Sequence, residues 1–104
     1  MHSMIFAIYP KDGMSAEDCQ DYVTNVHSRI GERMPKAKGL RQFAVTGTHE
    51  ARDTDIVAFT LLEFESEDDF NEAAASSVME EANADVPNFA EHIGVYNVRP
   101  HDVI

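Results

Sequence analysis

The segment that most constrains the fold is residues 56–64, because its apolar side chains fall on both sides of an extended chain. In a strand, successive side chains point to opposite faces, so Phe59 and Leu61 share one face while Ala58 and Leu62 share the other. An uncovered apolar face of several hundred Å² is rare on a soluble monomer. The sequence therefore predicts a sheet that is covered on both sides.

Each predicted helix begins at a serine that is followed three residues later by an aspartate. Ser15 precedes Asp18, and Ser66 precedes Asp69, a pattern typical of a helix N-terminus. Apolar residues recur at helical spacing after both serines. Strands are predicted at residues 4–9, 40–48, 56–64 and 93–99, and helices at residues 16–33 and 67–81.

Two connecting segments complete the expected order of elements. A charged turn at residues 50–53 joins the second and third strands, which we expect to form a hairpin. A polar break at residues 83–85 ends the second helix, and Asp85 then caps one short helical turn before the last strand.

The order βαββαβ predicts an α+β protein with the ferredoxin-like fold, in which one four-stranded antiparallel sheet carries helices on one face. A second copy of the chain, packed sheet to sheet about a two-fold axis, is the simplest cover for the other face, so we predict a homodimer. At 104 residues the chain suits one domain. We expect this domain at residues 4–101, with residues 1–3 as an alternative start or an added remnant and residues 102–104 as a tail.

The charge balance restricts the partners. Nineteen acidic against eight basic residues give a net charge of −11, which repels phosphate backbones and anionic lipids, so we predict no nucleic-acid partner and no membrane partner. No segment reaches the ~20 apolar residues that span a bilayer, and the start of the chain has no secretory pattern. With a lone Cys19, which can close no internal disulfide, these features predict a cytoplasmic protein, and the acidity also suits a cytoplasm of high salt.

The motifs that hold common cofactors are missing from the sequence. It has no GxGxxG, no Walker loop, no paired CxxC, no HExxH and no GxSxG. The five histidines have no compact ligand spacing among them. We therefore predict neither a metal site nor a cofactor.

Two histidines are candidates for acid-base chemistry, because an unperturbed imidazole with a pKa of ~6.5 can take and give a proton near neutral pH. On a helical wheel His27 lies at the edge of the apolar stripe, where the first helix meets the sheet. His49 ends the predicted second strand and would share a face with Phe43 and Val45, so it could line one cavity with His27. The alternatives are a boundary histidine that bonds locally for His27 and an exposed hairpin histidine for His49.

Aromatic side chains are distributed over all the predicted elements and could wall a pocket. Each could equally be an ordinary core or interface residue, as Cys19 in the centre of the helical stripe is expected to be. The candidate ligand-binding walls are Phe6, Tyr22, Phe43, Phe59, Phe89 and Tyr96.

Residues 22–27, which read Tyr-Val-Thr-Asn-Val-His, are followed by Met34-Pro35 and then by Gly39-Leu40-Arg41. This arrangement, with the order of elements, resembles the EthD family of dimeric α+β barrel proteins. The resemblance implies a homodimer whose two sheets form a barrel, a ligand cleft between sheet and helices in each subunit, and a histidine, here His27, beside that cleft.

The resulting hypothesis is a cofactor-independent acid-base protein that holds a small apolar or aromatic oxygenated metabolite in the cleft. Relatives in the wider superfamily include isomerases, cyclases and monooxygenases. In this hypothesis His27 moves the proton and His49 assists. Two alternatives stay open, namely a non-catalytic ligand carrier or accessory protein of an oxygenase or ether-degradation system, and a structural dimer module without a pocket.

Overall fold

Four antiparallel strands form one sheet in the order β2-β3-β1-β4, and all the helices lie on one of its faces. The structure is a computed structural model and describes residues 1–50 and 54–104. The α+β ferredoxin-like prediction is confirmed. The strands are β1 (His2–Pro10), β2 (Ala37–Ala44), β3 (Ala58–Phe64) and β4 (Ala90–Val98). The helices are α1 (Ala16–Tyr22), a π-helical segment (Val23–His27), α2 (Ser28–Gly31), α3 (Glu67–Ala74), α4 (Ser77–Asp85) and a 3₁₀ turn (Val86–Asn88).

Several strand ends differ from the sequence prediction. β1 already begins at His2, so the strand includes two of the three residues that the predicted domain leaves out. β4 begins at Ala90, three residues before the predicted start. β2 ends at Ala44, four residues before the predicted end. Of the predicted turn at residues 50–53, residues 51–53 lie outside the described residues.

The Gln20 side chain binds the backbone at the end of the β2–β3 pairing. Beyond Ala44 the Val45 N–H still donates to the Val57 carbonyl at 2.9 Å. The Gln20 side chain in α1 donates from Nε2 to the carbonyl oxygens of both Val45 and Val57, at 2.9 Å each. A helix side chain therefore binds backbone acceptors at the end of the ladder.

Replacement of Gln20 by alanine should lower the free energy of unfolding by about 1–2 kcal/mol, because two half-buried carbonyl groups lose their side-chain donor. Urea denaturation measures the change. Asp21→Ala on the exposed neighbouring position is the control and should change stability by less than ~0.5 kcal/mol. Equal effects of the two substitutions would contradict the role of Gln20.

The first helix begins as predicted, since Ser15 accepts a hydrogen bond from the Asp18 N–H, but it contains an unpredicted π turn. The Ser28 N–H donates to the carbonyl of Val23, five residues earlier. A regular α-helix would place His27 about 40° beyond Val23 on the wheel. The additional residue in the turn changes the direction in which the His27 side chain leaves the helix. The wheel of a regular α-helix therefore does not apply to His27.

The second helical region is divided into two helices. Ser66 caps α3 as predicted by accepting from the Asp69 N–H, but Ser76 starts a new helix by accepting from the Met79 N–H. The new helix, α4, continues to Asp85, so the predicted polar break at residues 83–85 is wrong. A local capping serine inside the alanine-rich region explains the division.

Strand register assigns each sheet residue to one of two faces. Gln42 is paired directly with Thr60, and Phe6 with Thr60 and Val95, so these four side chains share the face toward the helices. Two of the rows on the helix-free face are largely apolar, and a third, polar at its centre, consists of Gly39, Glu63, Ser3 and Val98. The first row is Phe43, Phe59, Ala7 and Gly94, and the second is Arg41, Leu61, Ile5 and Tyr96.

The prediction that Phe43, Phe59 and Tyr96 wall the cleft is therefore not matched by the register, because all three lie on the helix-free face. Phe43 is 40% exposed and Tyr96 is 55% exposed. The Arg41 guanidinium lies 5.0 Å from the centre of the Phe43 ring. This face is the apolar surface that the sequence expects a second subunit to cover.

The hydrophobic core between sheet and helices consists of two separate clusters. One surrounds Phe89 and Val23 near the start of β4. The other surrounds Phe64 and Ala73 near the end of β3. Because a close-packed domain usually has one continuous core, the space between the two clusters is the natural place for a ligand.

Candidate functional site

A cleft of about 450 Å³ opens between the two core clusters. The volume lies in the range typical of small-molecule sites, ~300–1,000 Å³. Its helix side includes the small residues Ser28, Gly31 and Ala82. The sheet side consists of Phe6, Ile8, Leu40, Gln42, Thr60, Leu62, Glu91, His92, Ile93 and Val95. The small residues leave a cavity that larger residues at those positions would fill.

His27 lies at the wall of this cleft and is bound from behind by a carboxylate. Its Nδ1 is 2.8 Å from Oδ2 of Asp85, the last residue of α4. Its ring packs on Phe89, with 4.6 Å between ring centroids, and Phe89 is fully buried. The side chains of His27 and Asp85 are 20% and 12% exposed. The imidazole is thus held on two sides and retains access to solvent.

Two further side chains orient Asp85. The Tyr22 hydroxyl donates to Oδ1 at 2.6 Å, and the Asn88 amide donates to the same oxygen at 2.9 Å. The Tyr22 ring also stacks on Phe89, with centroids 5.5 Å apart. Both oxygens of the carboxylate are therefore occupied, and Oδ2 is left for the imidazole.

This arrangement selects one tautomer of neutral His27. A carboxylate can only accept a hydrogen bond, so the contact with Asp85 requires the proton on Nδ1. The Nε2 lone pair is then free to accept a proton, and in residues 1–50 and 54–104 no hydrogen bond to Nε2 is present. A carboxylate orients the histidine of catalytic triads through the same kind of contact.

The network also changes the acidity of its members. Burial raises the pKa of the Asp85 carboxyl, but the hydrogen bonds from Tyr22 and Asn88, with that from the imidazole, outweigh burial and lower the pKa below its ordinary value. The hydrogen bond to Asp85 is the main reason why the pKa of the Tyr22 hydroxyl is raised, and burial adds to it. Asp85 therefore stays ionised at neutral pH.

The lowered pKa of Asp85 predicts acid sensitivity. The stabilisation is fully present above the unfolded-state pKa of ~3.9 and is lost as the pH falls through the lower folded-state pKa. We expect Asp85→Asn to cost about 1.5–3 kcal/mol near pH 7 and much less near pH 2. Urea denaturation across this pH range measures the difference in the free energy of unfolding between the wild type and the variant. A difference that is constant with pH, or one equal to that of the exposed control Asp102→Asn, would contradict the prediction.

The predicted site residues are distributed over four places. His27, Phe6 and Phe89 line the cleft, while Tyr22 lies behind His27 and acts on it through Asp85. Phe43, Phe59 and Tyr96 lie on the helix-free face. His49 lies beyond the end of β2, is exposed and does not line the cleft, so the expected shared cavity with His27 is not observed.

Several residues of the site are not marked by any local pattern in the sequence. Asp85 was expected only as a helix cap, yet its side chain binds His27, which is 58 residues away in the chain. Gln42 and Thr60 carry no motif and are brought together by strand pairing. His92 was expected in a turn but lies in β4 and also borders the cleft. Only the Asp85–Asn88 bond has a local spacing that could have indicated it.

Other kinds of site find little support in the described part of the chain. Outside residues 51–53, no three His, Cys, Asp or Glu side chains are grouped so that they could hold a metal ion. No helix in the same residues is long and apolar enough to cross a membrane. Cys19 is buried, its thiol donates to the Phe89 carbonyl at 3.3 Å, and burial raises the pKa of that thiol.

The sheet order and the helices on one face define an α+β protein with the ferredoxin-like fold, with a cleft beside an oriented histidine. The EthD domain family matches residues 11–93 of the sequence. The chain belongs to the EthD family, which confirms the resemblance found around His27. A search of curated proteins gave no match.

Solved structures similar to this chain share its fold over nearly the whole length. An ethyl tert-butyl ether D (EthD) family protein from Bacillus halodurans C-125 matches with a TM-score of 0.79 and 11% identity, covering 97% of this chain and 100% of that chain. Hydroxynitrile lyase from Passiflora edulis matches with a TM-score of 0.76 and 18% identity, covering 99% of this chain and 95% of that chain. A dimeric ferredoxin-like protein of unknown function from Thermobifida fusca YX matches with a TM-score of 0.72 and 14% identity, covering 93% of this chain and 88% of that chain. At these identities the likeness shows the fold alone.

Proposed function

We propose that the cleft binds a small, apolar or aromatic oxygenated metabolite and that His27 performs cofactor-independent acid-base chemistry on it. The proposal rests on one observation. At the wall of an apolar cleft, Asp85 fixes the proton of His27 on Nδ1. A base of this kind contributes ~10²- to 10⁴-fold to the rate of a proton transfer. Apolar walls exclude water and strengthen the polar contacts made inside.

Proton removal next to a carbonyl group is the step that this site supports best. His27 Nε2 takes the proton, the electron pair of the C–H bond moves toward the carbonyl group, and an enolate forms. Return of the proton at another carbon is isomerisation, attack of the enolate on a second carbonyl is cyclisation, and reaction with oxygen is the monooxygenase type. The Passiflora edulis neighbour is a hydroxynitrile lyase, so this fold does carry enzymes.

Deuterium exchange into 2-tetralone tests the proposal without knowledge of the natural substrate. This bicyclic ketone is apolar and has acidic C–H bonds beside its carbonyl group. In D₂O the base removes a proton and a deuteron returns to the same carbon, and NMR follows the loss of the C–H signal. We expect the protein to accelerate the exchange. Binding of 2-tetralone without acceleration would contradict the enzyme and favour the ligand carrier.

We also propose that two copies of the chain pack through the helix-free face. The face carries the exposed Phe43 and Tyr96 together with Leu61 and Phe59, and the Thermobifida fusca neighbour is described as dimeric. A two-fold axis would bring the same residues of both copies together. The cleft lies on the opposite side of the sheet, so each subunit keeps its own His27.

A further inference from the structure

The sheet side of the cleft contains a polar pair in its two neighbouring strands β2 and β3. Gln42 in β2 and Thr60 in β3 are directly paired across the two strands, and both line the cleft. Glu91 and His92 are the polar residues of β4 that line it, and the remaining sheet residues of its wall are the apolar Phe6, Ile8, Leu40, Leu62, Ile93 and Val95. A polar pair on an apolar surface needs partners, because a poorly solvated donor without an acceptor costs free energy.

The hydrogen bond within the pair shows which atom is left free. The Thr60 hydroxyl donates to the Gln42 side-chain oxygen at 2.5 Å. This bond occupies the amide oxygen and fixes the amide plane, so the Nε2 group is the end of Gln42 that is available. Among the described residues, no hydrogen bond uses Gln42 Nε2. Gln42 is half-buried. Its amide nitrogen is not fully buried and therefore stays accessible to a ligand.

We propose that Gln42 Nε2 donates a hydrogen bond to a carbonyl or phenolic oxygen of the ligand and so selects oxygenated molecules over hydrocarbons of the same shape. This inference rests on the proposed cleft and names its substrate class. It adds a specificity-determining donor on the sheet to the base on the helix. For a ketone, the same donor would stabilise the negative charge that develops on oxygen when His27 removes the neighbouring proton.

Binding of two matched probes tests this role independently of any reaction. Tetralin has the same fused ring skeleton as 2-tetralone but no oxygen. NMR titration gives the dissociation constant of each probe for the wild-type protein and for Gln42→Leu, which has a similar size and no donor. We expect the ratio of the tetralin to the 2-tetralone dissociation constant to fall by ~3- to 10-fold in the variant. The greater hydrophobicity of tetralin contributes equally to the ratio in both proteins, so it does not affect the change in the ratio.

Thr60→Val provides a second variant, because it keeps the shape of threonine and removes the hydroxyl that orients the amide. We expect an intermediate loss of the same ratio. An unchanged ratio in Gln42→Leu, together with His27-dependent exchange, would overturn the inference and leave the proposed function intact. A reduced ratio with exchange that does not depend on His27 would support the inference and contradict the function. Binding of neither probe to the wild type would overturn both.

Discussion

Replacement of His27 by glutamine should slow deuterium exchange into 2-tetralone by ~10²- to 10⁴-fold, the usual contribution of a general base. Glutamine has a similar length, and its side-chain N–H can still donate to Asp85, so the network behind the cleft should persist. It cannot take a proton at neutral pH. Binding of 2-tetralone should therefore change little while the exchange rate falls, which separates a chemical role of His27 from a structural one.

His49→Gln is the matched control, because His49 is exposed and does not line the cleft. We expect its exchange rate to stay within about twofold of the wild type, a difference that corresponds to ~0.4 kcal/mol. A large loss in His49→Gln would restore the hypothesis that His49 assists. Exchange that is equally fast in His27→Gln and in the wild type would contradict the proposed base.

Replacement of Leu61 by glutamate should convert the proposed dimer to monomers and raise its dissociation constant by ~10³-fold or more. Leu61 lies on a central strand in the helix-free face, between Arg41 and Ile5. In a two-fold interface the substitution occurs twice, and each buried carboxylate costs several kcal/mol, which an ion pair with the neighbouring Arg41 offsets only in part. Sedimentation velocity across a concentration series measures the dissociation constant.

Thr24→Glu is the control for this experiment, because Thr24 is exposed in the π-helical segment on the opposite side of the sheet. It adds the same charge to a protein that is already acidic, and we expect the dimer to persist. The prediction fails if the wild type is a monomer at all concentrations or if Leu61→Glu remains a dimer. In the second case the subunits would associate through another face.

The fold follows from local patterns to a large extent. The capping serines Ser15 and Ser66 start their helices as predicted, and the two-sided apolar strand becomes β3 beside β1 in the sheet. These features were predictable because capping and side-chain alternation act within a few residues. The errors occur where a distant or competing contact decides, as at the end of β2, where Gln20 of α1 binds the last paired carbonyl groups.

The candidate site was predictable only in part, as His27 and the aromatic residues show. His27 was identified from its position on the helix and from the resemblance around it, whereas the π turn that ends at His27 had no marker in the sequence. The sequence did not show which aromatic side chains face the cleft, because the face of a side chain depends on strand register. A shift of one residue moves every side chain of a strand to the opposite face. Phe6 lines the cleft, while Phe43 and Phe59 lie on the other side of the same sheet.

The sequence by itself determined the order βαββαβ, the helix starts, the apolar character of both sheet faces and the candidate His27, since each depends on residues that are neighbours in the chain. Only the tertiary structure decided that Asp85 and Tyr22 orient His27 and that Gln42 meets Thr60 inside the cleft. Asp85 and His27 are separated by 58 residues. Their contact exists because α4 packs beside the first helix, and no local periodicity specifies which polar side chains meet when two elements pack.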